Sequence, residues 1–153
     1  MSLYLVQHGK SLPKEADPEK GLSEEGLAEV RRIAGVAAGY GVKVDKISHS
    51  GKKRARQTAE IFAAFLKPEN GVDQIKGIDP LDDAALFSAN LSAQENRMLV
   101  GHLPFMERLT AYLIIGATEP PPFKFQNGGI VCLDRLADTR RWIIKWALMP
   151  NIG

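Results

Sequence analysis

Short apolar runs alternate with amphipathic segments along most of this chain, and this alternation constrains its fold more than any other feature. The strand-like runs are LYLVQ, VKVDKIS, VDQIK and RMLVG, at residues 3–7, 42–48, 72–76 and 97–101. The helix-like patterns lie at residues 22–41, 53–67, 81–93 and 104–115. Strands and helices in regular alternation predict an α/β fold, a three-layer α/β/α sandwich built on a mostly parallel sheet.

The last part of the chain departs from this alternation. Residues 116–129 are rich in proline and glycine, which predicts a loop. Two strand-like runs follow, IVCLDRL at 130–136 and RWIIKWALM at 141–149, with a turn around ADT between them. They predict a C-terminal antiparallel hairpin. Because 153 residues fit one ordinary domain, we expect residues 1–153 to form a single unit.

Composition excludes several classes of function. Twenty basic residues balance eighteen acidic ones, so a nucleic-acid binder that relies on bulk charge is not expected and any anion site must be local. The first strand begins within three residues, without a leader, and no apolar run approaches the ~18 residues of a membrane span. The single cysteine, Cys132, lies in an apolar run and predicts a buried thiol in a reducing compartment. We therefore expect a cytoplasmic protein with no membrane partner.

Polar residues follow three of the predicted strands. His8 comes after the first strand, the cluster SHSGKKRARQT at residues 48–58 closes the second, and His102 follows RMLVG. In open α/β sheets, ligands bind beyond the carboxyl ends of the strands. The sequence therefore predicts that two histidines and an arginine cluster line one pocket.

These residue types favour phosphoryl transfer. A neutral imidazole is a nucleophile at cellular pH, and arginine provides forked donors to phosphate oxygens. A second histidine, if protonated, can donate to the oxygen on which charge builds. A metal site would need a third ligand, and the chain has no HxH, HExxH or paired-cysteine spacing. We expect neither a metal nor another cofactor.

Three motifs in this order resemble a known family. LYLVQHGKS resembles the RHG signature of the histidine phosphatase superfamily, the phosphoglycerate mutase-like group. SGKKRARQTAE and VGHLPFMERL are similar to its second and third motifs. The short chain, the LSEEG helix start and the ending WALMP are most similar to the small SixA-type phosphohistidine phosphatases. The resemblance covers nearly the whole chain.

The resemblance implies a phosphoglycerate mutase-like fold and a role for each matching residue. His8 would carry the phosphoryl group in a covalent intermediate, Arg54 would hold the phosphate, and His102 would be the second histidine of the pocket. Arg56 is offset by two positions, which predicts a solvated helix face. His49 matches no family role and is interpreted as a residue at the rim of the site.

Gln7 departs from the family pattern, which has arginine directly before the nucleophile. An amide can still donate to a phosphate oxygen, but it brings no charge. Replacing a charge-assisted bond of about 1.5–3 kcal/mol by a neutral one of about 0.5–1.5 kcal/mol predicts a loss of roughly tenfold in rate or affinity. Lys10 follows in the same turn and either supplies the missing charge or is a solvated lysine at the rim.

A second departure concerns the general acid that phosphate-ester hydrolases of the superfamily place after the third strand. That region reads IKGIDPLDDAAL, where Asp79, Asp82 and Asp83 are the only acidic residues. Asp79 before Pro80 is typical of a turn, and the other two of a helix cap and first turn. Because an alkoxide needs a proton more than an imidazole does, a missing acid favours a phosphoramidate substrate.

The sequence thus predicts a metal-free phosphatase that acts on phosphohistidine of a partner protein, such as a histidine phosphotransfer domain, with phosphate bound in its pocket. Asn127, in FQNGG, either donates to that phosphate or forms a turn. Two alternatives remain open. One is a small-metabolite phosphoesterase with an aspartate as general acid. The other is a catalytically impaired module that binds phosphate or phosphohistidine because of Gln7.

Overall fold

Six strands form one mixed sheet in the computed structural model, which describes residues 1–92 and 94–152. The strands are β1 (Ser2–Gln7), β2 (Lys46–His49), β3 (Val72–Gln74), β4 (Arg97–Gly101), β5 (Ile130–Arg135) and β6 (Trp142–Leu148). The helices are α1 (Glu24–Gly39), α2 (Lys53–Leu66), α3 (Ala84–Ser88) and α4 (Phe105–Ile115).

The strand order is β3-β2-β4-β1-β5-β6. The first four strands in this order pair in parallel, whereas β5 pairs antiparallel with both β1 and β6. The mostly parallel sheet and the C-terminal hairpin are therefore confirmed. In the pairing of β1 with β4, Gln7 lies opposite Gly101, and the backbone N–H of His8 donates to the Gly101 carbonyl at 3.0 Å.

Successive side chains of β1 point to opposite faces of the sheet and join two different cores. Tyr4 and Val6 belong to the core that α1 and α2 cover. Leu3 and Leu5 belong to the core beneath α3 and α4. The sheet is thus the middle of three layers, as the sequence predicted. Among the described residues, no helix is both long and apolar enough to cross a membrane.

Local signals explain where the two longest helices begin and end. The side chain of Ser23 accepts the backbone N–H of Gly26 and caps the start of α1. In α2, Ala55, Ala59 and Phe62 are fully buried on one stripe. The helix ends at Leu66; the next residue, the C-cap Lys67, has a left-handed φ of 49° and is followed by Pro68.

A predicted strand and a predicted helix are clearly shorter in the structure, and the strand predicted over 72–76 ends at Gln74. The strand expected over 42–48 begins only at Lys46, because the segment before it pairs with loops, as when Asp45 donates its N–H to the Asn96 carbonyl. The helix expected over 81–93 is confined to α3; Ala93 lies outside the described residues. Asp83 caps that helix, but Asp82 lies before it and accepts the N–H of Asp79.

The close packing of α1 against the turn after β1 predicts a sharp contrast between two glycines of this helix. A methyl group at Gly26 would collide with the backbone carbonyl of Lys10, whereas one at Gly35 would lie 3.5 Å from the Phe65 ring, an ordinary contact. We expect Gly26→Ala to lower the free energy of unfolding by about 2 kcal/mol. The matched Gly35→Ala should raise it by up to about 1 kcal/mol through helix propensity. Urea denaturation of both variants checks this, and equal effects would contradict it.

Candidate active site

The carboxyl ends of the parallel strands bring His8, Arg54 and His102 together. The ring centroids of the two histidines are 5.1 Å apart, and Arg54 Nε lies 3.3 Å from His8 Nε2. His8 directly follows β1, His102 directly follows β4, and Arg54 lies in the first turn of α2, which begins four residues after β2. The structure therefore places all three residues in one cluster, where the motif order predicted them.

The hydrogen bonds of His8 define its tautomer. Its Nδ1 lies 2.7 Å from the carbonyl oxygen of Gly9, which can only accept, so Nδ1 carries the proton. Nε2 then presents a lone pair, to which Arg54 Nε donates. The backbone of this turn is held as well, since Asn127 Nδ2 donates to the His8 carbonyl at 2.9 Å and Thr58 accepts the N–H of Gly9 at 3.0 Å.

Burial keeps both histidines neutral. Desolvation lowers the pKa of His8 to about 4; the Gly9 hydrogen bond opposes this shift, and the charge of Arg54 adds to it. Desolvation, followed by the nearby His8 and Arg54, lowers the pKa of His102 to about 3. At neutral pH the free site therefore contains two uncharged imidazoles beside one guanidinium. A bound phosphoryl dianion would reverse part of the cationic effect and favour protonation of His102.

Ser50 is a member of the site that sequence reasoning missed. Its Oγ lies 2.6 Å from His102 Nε2, and His102 is almost fully buried. The other ring nitrogen, Nδ1, has no hydrogen-bond partner among the described residues. Ser50 is therefore the side chain that orients this imidazole. The available signal was its position in the loop after β2, the same loop that leads to Arg54.

Gln7, Lys10 and Asn127 occupy three different situations. Gln7 is the last residue of β1, and its Oε1 is buried without a partner in the described part of the chain. The ammonium of Lys10 lies 2.7 Å from Glu25 and 3.5 Å from Glu29, so it pairs with α1. Asn127 supports the backbone of His8 through its amide and lies beside the positive-φ Gly128.

The predictions for Arg56 and His49, which lie close to Arg54 in the sequence, have different outcomes. Arg56 is exposed and lies 3.8 Å from Glu60 one turn along α2, which confirms the predicted solvated face. His49 is not a rim residue. It is only 6% exposed at the end of β2, and its Nδ1 accepts the N–H of Gly51, which turns the imidazole into a loop support.

The donor set suits one tetrahedral oxyanion. Arg54 brings the fixed charge, the amide of Gln7 can donate a neutral hydrogen bond, and the hydrogen-bonded pair of Ser50 and His102 has one further N–H or O–H to donate. Within residues 1–92 and 94–152, no three His, Cys, Asp or Glu side chains converge as metal ligands would.

Comparison with known proteins agrees with this geometry. Residues 3–77 match the family model of the histidine phosphatase superfamily (branch 1). Phosphohistidine phosphatase SixA of Escherichia coli K12 is 28% identical over 98% of this chain and 94% of its own length. The solved structure of the protein histidine phosphatase SixA complexed with tungstate superposes with a TM-score of 0.84, at 26% identity, over 98% of this chain and 97% of that one. The chain belongs to the histidine phosphatase superfamily.

A second superfamily structure is similarly close in sequence. The provisionally named phosphohistidine phosphatase SixA from Agrobacterium tumefaciens is 29% identical, covers 97% of both chains and gives a TM-score of 0.78. Membership and these SixA-like relatives support a hydrolase of the phosphatase type. They also confirm the phosphoglycerate mutase-like fold.

The lowered pKa values predict how the site responds to acid. A histidine with an ordinary pKa of about 6.5 is mostly protonated at pH 5.5. Because burial depresses the pKa values of His8 and His102 to about 4 and about 3, we expect both rings to stay neutral at that pH. The unfolded chain binds these protons first, so the free energy of unfolding should fall as pH drops from about 6.5 towards 4. NMR titration of the imidazole signals, assigned with single-histidine variants, measures the two pKa values. Protonation of either ring near pH 6.5 would contradict the prediction.

The Ser50 contact predicts a positioning role. We expect Ser50→Ala to lower kcat about three- to tenfold, because the imidazole of His102 loses a hydrogen bond of about 0.5–1.5 kcal/mol. Ser50→Thr keeps the hydroxyl and should restore most of the rate. Steady-state phosphate release by the two variants checks this. A wild-type kcat in Ser50→Ala would rule the role out.

Proposed function

We propose that this protein removes the phosphoryl group from protein phosphohistidine through a covalent intermediate on His8. The observation that carries the proposal is the bond from His8 Nδ1 to the Gly9 carbonyl, which leaves Nε2 unprotonated beside Arg54. A lowered pKa keeps this nitrogen a nucleophile over the whole neutral range.

Two displacements complete the reaction. In the first, the Nε2 lone pair of His8 forms a bond to phosphorus as the bond to the substrate imidazole breaks; that imidazole leaves with the proton of its phosphorylated, cationic form. In the second, water attacks phosphorus, the bond to His8 breaks, and inorganic phosphate departs with one proton passing to solvent. Arg54 offsets the charge on the transferring group, and His102 and Gln7 hold its oxygens.

The placement of the aspartates supports a phosphoramidate substrate. Asp83 caps α3 through the N–H of Leu86, and Asp82 is engaged with the N–H of Asp79, so both carboxylates serve the local backbone. Asp79 is exposed in the loop that follows β3. An imidazole leaving group needs no strong acid, whereas an alkoxide does.

Phosphate release from two substrates tests the proposal. One is a phosphorylated histidine phosphotransfer domain and the other is p-nitrophenyl phosphate. We expect wild-type protein to release phosphate from the phosphohistidine domain well above the rate with the ester, and His8→Ala to lose this activity by at least a thousandfold. A phosphorylated form of the wild-type protein should accumulate transiently during the reaction and be detected in samples quenched without acid. It should be absent from His8→Ala.

Other outcomes would point to the two alternatives. Faster hydrolysis of an alkyl phosphate ester, abolished in Asp79→Asn, would indicate a metabolite phosphoesterase with that carboxyl as general acid. Phosphate binding without turnover of either substrate, with activity appearing in Gln7→Arg, would indicate a binding module.

A further inference from the structure

Two lysines near the entrance of the candidate active site, Lys20 and Lys52, are exposed and form no ion pair with the residues that the structure describes. Both side chains are exposed, and they come from different loops, Lys20 from the β1–α1 connection and Lys52 from the β2–α2 connection. Neither ammonium lies within 4.0 Å of a carboxylate of residues 1–92 and 94–152. We call this pair the mouth lysines.

Lys52 is linked to the second histidine by a short chain of contacts. It is the N-cap residue of α2, and its backbone N–H donates to Ser50 Oγ at 3.4 Å. The same oxygen lies 2.6 Å from His102 Nε2. The charge of Lys52 is one of those that lower the pKa of His102, after burial, His8 and Arg54.

Lys20 is held near the site by the fold of the β1–α1 loop. The loop that carries it folds back on itself, with the N–H of Leu12 bonded to the Gly21 carbonyl. Gly21 packs so tightly against the first turns of α2 that an added Cβ would lie 2.8 Å from Lys53 Cε. Lys20 therefore sits beside the helix turn that holds Arg54. Its charge contributes to the lowered pKa of His8, after burial and Arg54.

Two lysines near this pair, Lys10 and Lys53, are neutralised by carboxylates. The ammonium of Lys10 pairs with Glu25 and Glu29 of α1. Lys53 lies 2.8 Å from Asp17 and 3.8 Å from Glu19, and its hydrogen bond lowers the pKa of Asp17 to about 2. Asp17 and Glu19 thus compensate Lys53, and neither lies within 4.0 Å of a mouth lysine.

We propose that Lys20 and Lys52 dock the acidic surface that surrounds the phosphohistidine of a partner protein. This inference rests on the proposed function and specifies its substrate. Because Gln7 is uncharged, Arg54 is the charged donor inside the pocket. The exposed mouth lysines would therefore supply the positive charge that attracts a negatively charged partner. Exposed charges of one sign raise association rates for a complementary surface, and salt screens the effect.

A charge-reversal double variant, Lys20→Glu with Lys52→Glu, tests the docking role. Its matched control is Lys43→Glu with Lys67→Glu, which changes the net charge equally. Lys43 lies before the amino-terminal end of β2, away from the carboxyl ends of the strands where the site lies. Lys67 is the C-cap residue of α2 and has a left-handed φ like that of Lys20. The substrates are a phosphorylated histidine phosphotransfer domain with acidic residues around its histidine, and phosphoramidate as the small compound.

We expect the mouth variant to lower kcat/KM for the protein substrate at least tenfold at low salt, relative to its kcat/KM for phosphoramidate. This loss should shrink at about 0.5 M NaCl because the Debye length falls below 5 Å. The control variant should keep the wild-type ratio. An unchanged ratio in the mouth variant, or an equal loss with both substrates or in both double variants, would overturn the proposal.

Binding separates failure of docking from failure of the proposed function. In a His8→Ala background, the affinity for the phosphorylated domain should fall at least tenfold when the mouth lysines are reversed. If wild type turns over neither substrate but this affinity still falls, the docking surface stands and the catalytic proposal fails. If turnover is present and neither affinity nor kcat/KM responds, the docking proposal alone fails.

Discussion

The parallel pairing of β1 with β4 is the interaction on which the rest of this structure depends. It sets Gln7 opposite Gly101, so that the residues that follow them, His8 and His102, emerge side by side at the same edge of the sheet. The hydrogen bond from the His8 N–H to the Gly101 carbonyl continues this ladder into the site. A shift of one residue would send either histidine to the other face. The geometry of the candidate active site is therefore determined by the register of these two strands.

Desolvation sets the electrostatic character of the pocket that this pairing creates. Burial removes the charge from both imidazoles, and the amide at Gln7 adds none, so the interior depends on Arg54. Such a pocket has less positive charge to attract an anion, and in the proposed reaction His8 needs no deprotonation before it attacks. The positive charge that the interior lacks is found outside, on exposed lysines of the two flanking loops. This arrangement is the basis on which we propose a large, charged partner rather than a small ester.

Sequence patterns predicted the fold more fully than the details of the site. Apolar periodicity located every strand and helix, because burial of one face is decided by residues near one another in the chain. It failed where the backbone pairs with a distant loop, as at Asp45 and Asn96, which shortens β2. The interpretation of His49 failed for a related reason: its bond to Gly51 belongs to a tight loop that no motif encodes.

The amino-acid sequence by itself determined the layered α/β architecture, the family of the chain and the three residues that meet at the strand ends. These follow from periodicity, capping and motif order, which are local. Only the tertiary structure decided that Ser50 orients His102, 52 residues away, that Asn127 supports His8, 119 residues away, and that Lys10 pairs with α1. Such contacts depend on where single side chains point once the sheet has formed. The periodicity and motif order of the sequence do not specify that direction.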